Sequence, residues 1–518
     1  MLVESETFLG EESTYSDDNI RAKEEFIARN EIFGINRQVF VLSLCASFNS
    51  AIIGFNLGVF GGVIFIVQDD MNLTTIQAEI LIGMLNFVAI FGSIAAGFTS
   101  DRYGRLKSFI IASILFFIGG VVLILSSNFA GLLIGRTIVG MGTGIGFSVD
   151  PLYISEISPK EIRGALVTFS EIAINIGIVL GYFSTWIFSS IQSPVAWRLM
   201  LVIGIILPLI MLFLCLFKMD ESPRYLLMQG NSRKAMAVLM KLSKDDNAAV
   251  VVYEDIKNAL EKEASYNQIS VKNLITGKNT SKSLKRIIMV VIAVAVAQQL
   301  SGVDGVMGFI SFTLKKAGME NNQDLFGHQL LIGILKTLMI VVSARLLDEK
   351  IGRRILLIVS AVGAGLAHAS IAFGSICGVL WLETLGLYAF AIFFSVGLGP
   401  VSWLLIAEIL PLRVRSNGIM IGVSLNRFAG FLVASSFLSL IEKLSVGFTF
   451  TIFSFICLGY AYFIFKHLPE TKGLKLEEVE KVFLEGIEDE FKYVAKEAEM
   501  KTVNLSSIDE SVDEYGTI

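Results

Sequence analysis

The sequence predicts an all-α membrane protein of twelve spanning helices arranged as two related six-helix halves. Three observations carry this reading: a charge-poor composition, twelve apolar stretches, and a set of motifs repeated at nearly one spacing. Of 518 residues, 54% are hydrophobic and 17% charged, where a soluble chain carries about 25% charged residues. Mean hydropathy is +0.68. The 46 Gly suit close packing of membrane helices. The net charge of −5 reflects two polar, Glu/Asp-rich tails, near 4–31 and 477–518, expected to be irregular.

A helix needs about 20 predominantly apolar residues to cross a hydrocarbon core about 30 Å thick. Such stretches lie near 39–67, 79–99, 108–127, 130–152, 165–189 and 197–218, and again near 287–314, 327–347, 355–377, 383–410, 417–441 and 446–466. The expected organisation is a tail at 1–38, a half at 39–218, a helical linker at 219–286, a half at 287–467 and a tail at 468–518. Within the linker, Ala235, Val238, Leu239 and Leu242 recur at helical spacing. No short apolar core with a cleavage site precedes the first span, which is therefore expected to act as the targeting signal.

Orientation follows from Lys/Arg asymmetry across short loops. Arg102, Arg105 and Lys107, then Lys160 and Arg163, Lys350, Arg353 and Arg354, and Arg413 and Arg415 all fall on one side. Lys315, Lys316 and Lys443 are exceptions. Both tails and the linker are thus expected in the cytoplasm, with the sequon Asn72-Leu73-Thr74 outside on a short loop. Cys45, Cys215, Cys377 and Cys457 each sit in an apolar run without metal-ligand spacing and read as buried, inert thiols. No metal or cofactor, no catalytic constellation and no nucleic-acid partner is expected. Gly140, Gly142, Gly144 and Gly146 lie inside an apolar helix and read as packing glycines rather than a nucleotide loop.

The repeat ties the halves together. Asp101-Arg102-Tyr103-Gly104-Arg105 recurs as Glu349-Lys350-Ile351-Gly352-Arg353 at an offset of 248. Glu156 with Arg163 recurs as Glu408 with Arg415 at 252, and Glu221, followed by Arg224, recurs as Glu470 at 249. All of these lie at the predicted cytoplasmic helix ends. Carboxylate–arginine pairs at a low-dielectric boundary can bind strongly yet separate into water, so the group is expected to latch halves that rock against each other.

With these motifs in hand, the chain resembles the sugar porter family of the major facilitator superfamily over roughly residues 38–485. The resemblance rests on Asp-Arg-Tyr-Gly-Arg at 101–105, Gly-Arg-Thr-Ile-Val-Gly-Met-Gly at 135–142, Pro-Leu-Tyr-Ile-Ser-Glu-Ile-Ser-Pro at 151–159, Glu-Ser-Pro-Arg at 221–224, Gln-Gln-Leu-Ser-Gly at 298–302, Gly-Arg-Arg at 352–354 and Pro-Glu-Thr-Lys-Gly at 469–473. Within that family it is most similar to plant-type polyol/monosaccharide carriers, through Glu171, Asp304, Lys336 and Asn426-Arg427. The resemblance implies the major facilitator fold, alternating access and a hexose or polyol substrate, in the plasma membrane or an internal membrane, with the chain working as a monomer.

Ionisable residues inside a span cost about 2.5–3.5 kcal/mol each on insertion scales, so they face a cavity and have a job. Glu171, Asp304, Lys336 and Arg427 fall in the fifth, seventh, eighth and eleventh spans. Their charges sum to zero, and the competing reading makes some of them structural ion pairs. Gln298 and Gln299 add amides that donate and accept at once, which suits a polyhydroxylated ligand. The resemblance places all four ions near substrate and implies contacts from Gln298, Gln299, Asp304 and Asn426. Trp403 offers an apolar face to a sugar ring, and Gly399-Pro400 should weaken the tenth span. Gly308-Phe309 stands where many relatives carry a Tyr pair, which leaves an outer gate there open to question.

Asn56 is the position that bears on coupling: proton-coupled relatives carry Asp there, and an amide cannot titrate. The reading therefore favours facilitated diffusion. Proton symport through Glu171, Asp304 or Asp150 is the alternative, and Asp304 lies 248 residues after Asn56, at the repeat offset. A sugar sensor is the rival of another class, disfavoured because only about 50 residues follow position 468. A carrier of organic anions is a third, kept open by Lys336 and Arg427.

Overall fold

The computed structural model describes residues 31–32, 35–159, 162–191, 195–265, 274, 281–348, 351–411, 414–471 and 482–483. A two-residue hairpin, β1 (Glu31–Ile32) with β2 (Ile35–Asn36), leads into the first half. That half comprises α1 (Arg37–Asp70), α2 (Thr75–Tyr103), α3 (Arg105–Leu125), α4 (Phe129–Ile157), α5 (Arg163–Phe188) and α6 (Ala196–Phe217). The linker folds as α7 (Pro223–Met228), α8 (Ser232–Leu242) and α9 (Asp246–Ser265). Ala235, Val238, Leu239 and Leu242 form the buried face of α8.

The second half is more broken. Its elements are α10 (Lys282–Leu300), α11 (Val303–Gly308), α12 (Ile310–Lys316), α13 (Asn322–Asp348), α14 (Arg353–Cys377), α15 (Leu380–Val396), α16 (Pro400–Ile409), α17 (Arg415–Ala434), α18 (Phe437–Leu444) and α19 (Val446–His467). Among the described residues, twelve helices or helix runs are long and apolar enough to cross a membrane, as the hydropathy pattern predicts. The runs are α10–α11, α15–α16 and α17–α18. Between α10 and α11 the chain turns at Gly302, whose φ of +89° is the left-handed region that a side chain would strain. The tenth span breaks at 397–399, just before Pro400 starts a new helix.

A bundle in lipid inverts the usual surface: large apolar side chains such as Phe98, Leu125, Phe217, Ile376 and Phe455 are exposed around its flank. Small residues let the backbones approach inside it. A methyl group on Gly54 of α1 would overlap the Ile174 carbonyl oxygen of α5, and one on Gly144 of α4 would overlap the Ala89 carbonyl oxygen of α2. Gly144 is therefore a packing glycine, as its setting in an apolar helix predicts. Of the four thiols, three are buried, but Cys377 at the end of α14 is exposed, because Gly378 ends the helix at the bundle surface. Helices α7–α9 mark one end of the bundle, the linker end, and the α1–α2 turn marks the opposite, far end.

Gly54→Val should lower the thermal midpoint of the detergent-solubilised protein markedly, since overpacking costs about 1–3 kcal/mol. Gly459→Ala, with no atom within 4 Å of the added methyl, should leave the midpoint unchanged in the same fluorescence assay.

Candidate functional site

A cavity of about 140 Å³ lies between the halves at mid-depth. The first half contributes Asn86, Arg136, Glu171 and Tyr182, among others; the second contributes Gln298, Gln299, Asp304, Lys336, Trp403 and Arg427. Seven of the eight residues expected to meet substrate thus line one wall or another. The eighth, Asn426, is fully buried directly behind them.

Asn426 organises the second-half wall. Its Nδ2 donates to the Ala295 carbonyl (2.7 Å) and to Gln298 Oε1 (2.7 Å). Its Oδ1 accepts from Arg427 Nε (3.1 Å) and Nη2 (2.7 Å). Gln298 Nε2 in turn donates to the carbonyls of Leu398 and Gly399, both at 3.0 Å, at the break in the tenth span, where Ser402 Oγ also donates to the Leu398 carbonyl (2.7 Å). The Gln299 amide sits among Asn426, Asp304 and Arg427. In one orientation its Nε2 lies 3.2 Å from Asn426 Oδ1; turned over, it donates to Asp304 Oδ2 at 3.2 Å and accepts from Arg427 Nη2 at 3.3 Å.

Asn86 of α2 closes the network from the other half. Its Nδ2 donates to Asp304 Oδ2 (2.6 Å) and its Oδ1 accepts from Arg427 Nη1 (3.2 Å). Motif reading missed this residue; the available signal was an amide inside an otherwise apolar span. Glu171 and Lys336 are half-buried. Glu171 lies in the field of Lys336 and Arg427, and Lys336 in that of Asp304 and Glu171. Lys336 Nζ stands 5.7 Å from the Phe394 ring centre, and the Arg427 guanidinium 4.8 Å from that of Phe147. Trp403, half-buried on α16, lines the wall.

Asn56 and Asp304 are not equivalent in space, although the repeat offset aligns them. Asn56 Nδ2 turns back to the Ile52 carbonyl (2.9 Å) of its own helix and lies outside the cavity lining. Beside it, Arg136 is buried with Nε 3.0 Å from the Leu81 carbonyl, Nη1 3.4 Å from that of Asn56 and Nη2 3.5 Å from that of Ile82. Asp150 is also outside the cavity, holding α4 to α1 by accepting from Asn49 Nδ2 (2.9 Å) and from Ser50 Oγ.

Towards the far end the halves are joined. Glu79 of α2, 1% exposed, accepts from both N (2.6 Å) and Oγ (2.6 Å) of Ser439 on α18. Thr75 Oγ1 donates to Glu442 (2.8 Å) beside it. Nearer the cavity, Tyr182 OH donates to the Met307 carbonyl (3.4 Å), and Gly61 packs on the carbonyls of Met307 and Gly308. Phe309 stacks on Phe437 at 5.8 Å, pinning α18 against the seventh span. Backbone approach at Gly308-Phe309 and the Glu79 clasp therefore join the halves at this end.

The linker-end motifs gather into one cluster in each half. Arg105 makes a two-pronged pair with Glu156 (Nε 2.8 Å, Nη2 2.7 Å) and a third bond to the Ser100 carbonyl (3.0 Å). Glu221 accepts from the backbone N–H of Arg105 (3.0 Å), Leu106 (3.3 Å) and Ser222 (2.9 Å), capping the start of α3. Asp101 and Arg224 flank the cluster at 3.9 Å from Arg105 and 4.0 Å from Glu156. Burial pushes the Glu221 carboxyl above its usual range, and these N–H donors and the Arg105 charge pull it back.

The second half repeats the pattern: Arg353 pairs with Glu408 (3.2 and 3.0 Å), and Glu470 caps α14 through the N–H of Arg353 (2.9 Å) and Arg354 (3.2 Å). Among the described residues, these bonds run within each half. Arg163 is exposed and stands apart from Glu156, while Arg415 Nε turns to the Leu410 carbonyl (3.3 Å). The expected Glu156/Arg163 and Glu408/Arg415 pairings are therefore replaced, because Arg105 and Arg353 present their guanidinium forks from a neighbouring helix. Glu349 lies outside the described residues.

Residues 42–483 match the family described as sugar (and other) transporter. Among relatives, the probable polyol transporter 4 of Arabidopsis thaliana is 36% identical over 458 residues, covering 87% of this chain and 86% of that one. Polyol transporter 5 of the same plant is 35% identical, with 86% of each chain covered. The inward-open structure of the xylose transporter XylE from E. coli superimposes with a TM-score of 0.73 at 25% identity, covering 86% of this chain and 99% of that one.

Arg105→Ala should strand a buried carboxylate, since both partners' side chains are only 4% exposed, and lower stability by about 3–5 kcal/mol. Arg163→Ala should stay within about 0.5 kcal/mol of the parent; equal losses in chemical denaturation would contradict this pairing. At the far end, Thr75→Cys with Glu442→Cys, in a background lacking Cys377, should cross-link readily and stop flux until reduced. Adding Glu79→Ala should slow that cross-link about tenfold or more, from the loss of a charged bond worth about 1.5–3 kcal/mol.

Proposed function

We infer that this chain, which belongs to the sugar (and other) transporter family, carries hexoses or polyols across a membrane by alternating access without proton coupling. The observation that carries the reading is the cavity between the halves, where amides and ions of both halves converge on one small volume. Gln298, Gln299 and Asn426 supply paired donors and acceptors for hydroxyl groups. Trp403 supplies an apolar face, and Glu171, Asp304, Lys336 and Arg427 supply charged ones. The polyol and xylose transport named for the relatives agrees with this chemistry. With the linker and its basic helix ends in the cytoplasm, the far end, where Glu79 clasps Ser439, is the outer side.

Alternating access asks each half to move as a body, with the clasp of Glu79 on α18 and the Asn86 bridge exchanged for contacts at the other end. The two linker-end clusters serve that motion by stiffening each half. The breaks at Gly302 and 397–399 give the seventh and tenth spans places to bend. Asn56 supports uniport, since an amide bonded to its own helix offers no exchangeable charge. Symport through Glu171, Asp304 or Asp150 is the competing reading. The first two face Lys336 and Arg427, and Asp150 is sealed between α1 and α4 by neutral donors.

In proteoliposomes, labelled hexose or polyol uptake should be unchanged by protonophore, and sugar should evoke no inward current on external acidification. A sugar-evoked proton current would refute uniport, and specific binding with no flux would favour a sensor.

A further inference from the structure

The cavity wall carries three cations, Arg136, Lys336 and Arg427, against two carboxylates, Glu171 and Asp304. One positive charge is therefore unmatched. The carboxylates answer to Lys336 and Arg427, both of which feel their fields. Arg136 meets neutral groups: three backbone carbonyls and the face of Phe60, 3.9 Å from its guanidinium carbon. Among the described residues no carboxylate pairs with it. Asp150, on the same helix, lies fourteen residues on, about 21 Å along the axis at 1.5 Å per residue, and is engaged by Asn49 and Ser50.

An arginine cannot shed its proton, so this buried charge persists through the cycle. Three of its five N–H groups are directed at carbonyls, one each from Nε, Nη1 and Nη2. That leaves one N–H on each terminal nitrogen without a carbonyl, and a carboxylate has two oxygens to accept such groups. On the opposite wall, Gln298, Gln299 and Arg427 offer groups suited to hydroxyls.

Resting on the carrier reading above, we propose that Arg136 is a substrate-facing cation and that the preferred solutes are polyhydroxylated carboxylates, such as aldonates and uronates. The acid group supplies the negative charge that the cavity lacks, and the hydroxylated chain reaches the amides of the second half.

The test uses the full chain in proteoliposomes at neutral pH with matched pairs, D-gluconate against D-glucitol and D-glucuronate against D-glucose. Each acid should compete for uptake at least tenfold better than its neutral partner, and labelled gluconate uptake should rise with an inside-positive potential. Asn56→Asp, which adds a negative charge on the residue whose backbone carbonyl meets Arg136, should abolish the acid preference while neutral uptake persists, showing that the variant is folded. Arg136→Lys should keep the preference for acids but weaken it. Equal or better competition by the neutral partners overturns the proposal and leaves the carrier reading intact; no uptake of either class sinks both. Competition by acetate or chloride as strong as by gluconate marks a simple anion site and also overturns it.

Discussion

The amide of Asn86 belongs to one half of the bundle, yet both of its atoms are engaged by the other. It donates to Asp304 and accepts from Arg427, and so completes the partners of a carboxylate and a guanidinium that sit on separate spans. Ions in an apolar bundle have no water to fall back on and must be satisfied by the protein. That constraint draws the seventh and eleventh spans of one half towards the second span of the other. The position of the cavity, the join of the halves on its far side and the orientation of the Gln298–Asn426–Arg427 row all depend on it.

The same constraint acts at the helix ends in another form. A helix that starts at the bundle's edge exposes N–H groups without intrahelical partners. Glu221 and Glu470 reach those of α3 and α14, while the first arginine of each helix grips Glu156 or Glu408. Three motifs that stand far apart in sequence are thus one cluster, built twice. The copies differ in depth: the Arg105–Glu156 side chains are each 4% exposed, and those of Arg353 and Glu408 are 15% and 30% exposed. Duplication preserved the bonds while the surroundings diverged.

Divergence went further at the cavity. The first half keeps unbroken spans and supplies a wall; the second half has broken spans, and Gln298 donates to the carbonyls at 398–399 where one of them breaks. Asn56 and Asp304 occupy matching places in the repeat but opposite settings, one folded onto its own helix and one on the cavity wall. The charges of the cavity are therefore unevenly shared, with Arg136 as the contribution of the first half that finds no acid.

The twelve spans, the two halves and the family were legible in the chain itself, because hydropathy period and motif spacing are local or one-dimensional properties. The ions Glu171, Asp304, Lys336 and Arg427 stood out for the same reason, since a charge in an apolar run is conspicuous wherever it points. Their partners were not legible. Arg163 lies seven positions after Glu156, a spacing that suggests a pair, but the guanidinium that reaches Glu156 comes from Arg105 on a different helix. The places of Asn86, Arg136 and Glu79 came only from packing, which sets them opposite Asp304, in the cavity wall and against Ser439. Helix identity follows from composition along the chain; which side chains meet follows from how helices rotate and approach, and only the tertiary structure settles that.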